Sequence, residues 1–81
     1  MIGVVASTLD RAERLARELN VGRPVPMSVR SILQGHGRGL VLDTVLVDES
    51  ALPLRDEVRA TLAPCLYARG GRIHELRRVG L

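Results

Sequence analysis

Apolar positions along this chain alternate between short unbroken runs and a three-to-four-residue repeat. Residues 2–6, IGVVA, form an apolar, β-branched run that reads as a buried strand. The rhythm then changes. Leu9, Ala12, Leu15, Ala16 and Leu19 fall on one helical face, with arginine and glutamate opposite. Ser7 or Thr8 can cap the start of this helix, Asp10 suits its first turn, and Asn20 and Gly22 close it.

The following segment, RPVPM at 23–27, is short and holds two prolines, so as a strand it belongs at a sheet edge. Ser28 can cap a short helix, SVRSILQG, that buries Val29, Ile32 and Leu33. GHGRG at 35–39 reads as a loop. The longest apolar run, roughly 41–48, predicts the longest strand, interrupted only by Asp43 and Thr44. Pro53 suits the start of a helix, whose inner face carries Leu54, Val58, Leu62, Cys65 and Leu66. Pro64 is expected to kink or shorten it. A turn at Gly70 and Gly71 leads to a last strand at about 72–78.

Strands and helices thus alternate with short connections. The pattern predicts one α/β domain over 1–81: a small three-layer unit with a mainly parallel four-stranded sheet, order about 2-1-3-4, and helices on its faces. The edges at 23–27 and 72–78 are the expected places for association.

Composition adds limits. Hydrophobic residues make up 46% of the 81, yet Phe and Trp are absent and Tyr67 is the sole aromatic residue. The core is therefore aliphatic and small, and self-association that covers a face or an edge is expected. Cys65 is the single cysteine, which excludes an internal disulfide and suggests a reducing compartment. With no apolar stretch long enough to span a bilayer and no signal-like start, the expected location is cytoplasmic. All twelve cations are arginine. Without lysine there is no Schiff base, no lysine general base and no lysine to hold a phosphate. The net charge of +3 favours nucleic acid or an acidic partner only mildly.

The candidate chemistry lies at the end of the long apolar run, where Asp48 and Glu49 stand together. In open parallel sheets, sites form at the carboxyl ends of strands. The stretch RGLVLDTVLVDESALPLRDEVRATLAPCLYARGGRIHEL, with VVASTLDRAERLAREL before it, resembles the ATPase core of phage large terminases and related RecA-like P-loop enzymes. The resemblance implies a magnesium position at Asp48 and a catalytic base at Glu49. The family's phosphate-binding loop, Gly-x-x-x-x-Gly-Lys-Ser/Thr, is missing, and GHGRG cannot replace it because it precedes a strand. Asp48 and Glu49 are then vestigial, and the expectation is a protein that is not an enzyme and carries no cofactor. The bland alternative is a polar strand end, with Asp48 capping the next turn.

His36, His74 and Cys65 lack zinc-ligand spacing, so no metal site is expected, and Cys65 reads as a small buried hydrophobe. Arg11, Arg14 and Arg17 alternate with Glu13 and Glu18 as a solvated helix face. Arg69, Arg72, Arg77 and Arg78 cluster near the end of the chain and form a candidate surface for nucleic acid or a partner, without the aromatic residues that stack bases. Three functions follow as expectations. The first is a small non-enzymatic phage or prophage-type protein that binds itself or a host or phage protein. The second is a nucleic-acid-binding accessory protein using the C-terminal arginines. The third is residual magnesium-nucleotide binding at Asp48 and Glu49.

Overall fold

The computed structural model describes residues 1–77. Four parallel strands form one sheet in the order β2-β1-β3-β4, the α/β arrangement expected from the alternation of elements. They are β1 (Ile2–Ala6), β2 (Pro24–Ser28), β3 (Thr44–Asp48) and β4 (Arg72–Leu76). Three helices connect them: α1 (Leu9–Leu19), α2 (Val29–Leu33) and α3 (Asp56–Tyr67).

Side chains alternate across a strand, and the register pairs Ile2 with Thr44, Val4 with Leu46, and Leu46 with His74. One face of the sheet therefore carries Val4 and Ala6 of β1, Thr44 and Leu46 of β3, and Arg72, His74 and Leu76 of β4. The other carries Val5, Met27, Val45, Val47 and Ile73. On this second face α2 and α3 lie over the sheet, and Ile32, Leu54, Val58, Leu62, Cys65 and Leu66 join its valines in one buried aliphatic cluster. On the first face α1 packs on β1 and β2 through Ala12 and Ala16, which are buried against Val4 and Ala6. Small alanines let the helix lie close to the sheet.

That close seat changes which residues of α1 are covered. Leu9 is 47% exposed and Leu19 39%, and Leu15 is only half-buried. The leucines flank the contact and the alanines make it. Leu33, expected inside, is 38% exposed because α2 ends after a single turn or so.

Local chemistry sets most boundaries. Thr8 caps α1, its hydroxyl accepting from the Arg11 N–H at 3.3 Å, and Asn20 closes it in the left-handed conformation at φ 50°. Ser28 and Ser31 form a reciprocal capping box on α2, both bonds at 3.0 Å. Strand β3 is shorter than the apolar run. The Leu42 N–H donates to Cys65 O and the Asp43 N–H to Met1 O, both at 2.8 Å. Residues 41–43 are thus tied to the end of α3 and the start of the chain, not to a neighbouring strand. Helix α3 starts at Asp56, not Pro53: a 3-10 turn at Glu49–Ala51 precedes the proline, and Arg55, at φ −66° and ψ 143°, is still extended at the N-cap of the helix. Pro64 does not end the helix, which runs on to Tyr67; the carbonyl of exposed Ala60, four residues back, simply loses its intrahelical donor. The last strand stops at Leu76, and the rest of the expected 72–78 strand beyond Arg77 lies outside the described residues. Gly71 is demanded by close approach. A Cβ there would sit 2.7 Å from Leu66 Cδ2 and 2.9 Å from the Asp43 carbonyl carbon.

Candidate functional site

Chain direction fixes where a site can form. From β1 the chain leaves to α1 on one face, and from β3 it leaves to α3 on the other, so a crevice opens between the carboxyl ends of these two neighbours. Ser7 and Thr8 stand on one side of it, and Asp48, Glu49 and Ser50 on the other. A hydrogen bond from the Ser7 N–H to Ser50 Oγ at 3.1 Å joins the two.

Asp48 is 8% exposed, and its Oδ2 accepts from the Ser50 N–H at 3.1 Å, which caps the 3-10 turn. Glu49 opens that turn and is exposed. The two carboxylates predicted to share a strand end do share it, and Asp48 is engaged in closing the backbone there. No set of three His, Cys, Asp or Glu side chains among the described residues is arranged to hold a metal. His36 lies in the loop after α2, His74 on β4, and Cys65 is buried with its Sγ donating to Gly37 O at 3.5 Å.

The glycine-rich loop is a compact turn. Gly35, Gly37 and Gly39 all take positive φ, from 81° to 99°. The N–H groups of Gly35, His36, Arg38 and Leu40 donate to Ile32, Ser31, Gly35 and Gly37 carbonyls. Its amides are largely engaged within the loop and its own helix, so they do not converge on an outside anion.

The C-terminal arginines divide between the two ends of β4. Arg69 and Arg72 lie at its start, where Arg69 Nε is 3.8 Å from Asp43 Oδ1. Arg77 follows its end and reaches Glu75 at 2.9 Å, the carboxylate that Arg59 of α3 also holds at 2.9 Å. Five residue steps along the strand, about 17 Å, separate Arg72 from Arg77. Arg78 lies outside the described residues. Asp43 also accepts from the Met1 amino group at 2.7 Å, and this hydrogen bond and charge, with Arg69 behind them, hold its carboxyl below the ordinary aspartate value.

The feature that sequence reasoning missed is larger than any of these. Because α1 covers only β1 and β2, the β3–β4 half of that face has no helix over it among the described residues. Leu46 and Leu76 are half-buried there, beside His74, and Leu15 and Leu19 form the wall on the α1 side. A groove of about 420 Å³ runs between wall and floor, lined by Leu15, Glu18, Leu19, Asp48, Leu76 and Arg77. It continues into two smaller depressions that also reach Asp48, past Arg11 and Arg14. Two signals could have found it. Right-handed crossovers in the order 2-1-3-4 put α1 alone on one face, and RIHEL, with one apolar residue for each face, lacks the continuous apolar run of a strand buried on both sides.

No protein-family model matches the chain, and neither a curated protein nor a solved structure matches it. No helix among the described residues is long and apolar enough to cross a membrane.

Proposed function

We propose that this chain is a non-enzymatic binding module that acts by covering the open half of its sheet with protein, either a second copy or a partner polypeptide. One observation carries the reading: the β3–β4 half of the α1 face carries the half-buried Leu46 and Leu76, and the groove beside Leu76 is walled by Leu15 and Leu19. Parallel sheets bury both faces, so a strip of this kind is a surface that wants cover.

The remaining chemistry supports binding over catalysis. Asp48 is engaged with the turn after β3, and the chain holds no lysine and no phosphate loop. The likeness of residues 38–76 to phage ATPase cores fits a scaffold that kept the acidic strand end and lost the nucleotide, in a phage or prophage setting. The spread of Arg69, Arg72 and Arg77 over both ends of β4, two of them facing carboxylates, favours protein over nucleic acid as the partner.

The test pairs two measurements. Magnesium nucleotide is expected to leave the Tm unchanged, since a ligand raises stability only where it binds the native state. Light scattering and partner binding should be lost together in Leu46→Arg and Leu76→Arg while the Tm stays near that of the parent. A nucleotide-dependent rise in Tm that Asp48→Ala removes would replace this reading with a working nucleotide site.

A further inference from the structure

We infer that the open half-face takes one amphipathic α-helix from a separate polypeptide, laid beside α1, with an acidic flank toward β4. This rests on the reading above that the half-face is the binding surface, and adds what occupies it.

The dimensions select the occupant. Two strands span about 10 Å across the sheet, which is the diameter of one helix. Their five-residue length is about 17 Å, the rise of about 11 helical residues. Helix α1, 11 residues long, already fills the other half of the same face in this way. A second strand or a flat loop would leave backbone groups facing Leu46 and Leu76, whereas a helix satisfies its own.

The chain's own helices do not supply the piece. The alanine stripe of α1 is buried on its own sheet, the inner face of α3 is buried in the core cluster, and α2 has only five residues. The outward side of α1 carries Asp10, Arg14 and Arg17, with Arg14 and Asp10 paired at 3.0 Å, so it would bring charge, not leucine, to the floor of a second copy. None of the described helices of this chain therefore supplies the occupant.

Charge sets its orientation. On this face the β4 rim presents Arg72 and His74, with Arg77 closing one end of the groove. Glu75 points to the opposite face, toward Arg59. A helix lying here has Arg72 and Arg77 at the two ends of its outer flank, Arg77 already paired with Glu75. Glu18 and Asp48 stand on the α1 side of the groove, so acidic residues fit the β4 flank and not the α1 flank. Its apolar stripe, at i, i+4 and i+7, faces Leu46, Leu76 and Leu15.

The experiment titrates the isotope-labelled full chain with a side-chain-stapled helical peptide of about 11 residues, carrying leucines at those spacings and glutamates along one flank. Its twin carries lysines in place of the glutamates. The glutamate peptide is expected to shift the amides of Leu46, His74 and Leu76 and to bind at least about tenfold tighter than the lysine twin, with the gap closing at high salt. Leu46→Arg and Leu76→Arg, each checked for a parent-like amide spectrum, should abolish the shifts. Equal binding of the two peptides, tighter binding of the lysine twin, shifts mapping to β2, or no binding of either overturns the inference. Self-association through the same amides also overturns it, because the occupant is then a second copy, and leaves the half-face standing as the binding surface. If neither peptide nor second copy meets these amides, and Leu46→Arg unfolds the chain, both readings fall.

Discussion

On the α3 side of the sheet, Val5, Val45 and Val47 lie fully covered beneath two helices, in a cluster that draws on every helix and strand except α1 and β1's opposite face. On the α1 side, the same strands present Val4 under a helix but Leu46, one strand over, only half-buried, and His74 beyond it exposed. Leu46 is as apolar as Val45 and Val47 on the other side of β3, yet it is less covered. The difference comes from connectivity: two crossovers put their helices on one face and one crossover on the other. Burial is thus decided by how many helices the topology delivers to a face, and the shortfall leaves the β3–β4 half of one face only partly covered.

Substitutions can break or sharpen that contrast. Among substitutions that leave the chain folded, the largest effect is expected from Leu62→Ala, which opens a cavity in the filled face and should cost about 2–5 kcal/mol in urea unfolding; a cost below about 1 kcal/mol would mean that the cluster is loose. Next comes Gly71→Ala. Its new methyl must displace Leu66 and the Asp43 carbonyl, so the entry to β4 moves and overpacking should cost about 1–3 kcal/mol. Ser28→Ala removes the capping box that starts α2 over the filled face and should cost about 1 kcal/mol.

The smallest effect concerns pH at the start of β3. Asp43 has its carboxyl lowered in the folded chain, first by the hydrogen bond and then by the charge of the Met1 amino group. Its contribution is present above the ordinary aspartate pKa and is lost as pH falls through the lowered folded value. Asp43→Asn should therefore flatten the acid limb of the stability curve and leave the half-face untouched. An unchanged acid limb would show that the exposed pair is screened by water.

Much of this architecture was legible. The apolar runs located β1 and β3, and the two-proline segment at 23–27 and the stretch after the Gly70–Gly71 turn located β2 and β4. Ser7 or Thr8 with Asn20 and Gly22 bracketed α1, and the alternation of elements pointed to the order 2-1-3-4. The errors share one cause: apolarity reports burial, not hydrogen-bond partner. Leu42 is fully buried and so extended the apparent strand, although its N–H goes to Cys65. Leu9 and Leu19 kept the helical period yet flank the contact that Ala12 and Ala16 make. At the candidate site, the shared strand end of Asp48 and Glu49 was readable from the residues alone. Arg69, Arg72 and Arg77, close in sequence, are drawn apart because a strand extends its residues where a helix would gather them. The open half-face was not readable from any one segment, since it is a property of the whole connection pattern.

The most direct test uses two adjacent residues of β3. Leu46 faces the open half and is half-buried, and Val47 faces the core at 0% exposure. Urea unfolding of Leu46→Arg is expected to give a chain within about 1 kcal/mol of the parent, while Val47→Arg, which places an unpaired charge in the core, should not fold. If Leu46→Arg unfolds the chain as Val47→Arg does, the half-face is core, and the account of it as a binding surface is wrong.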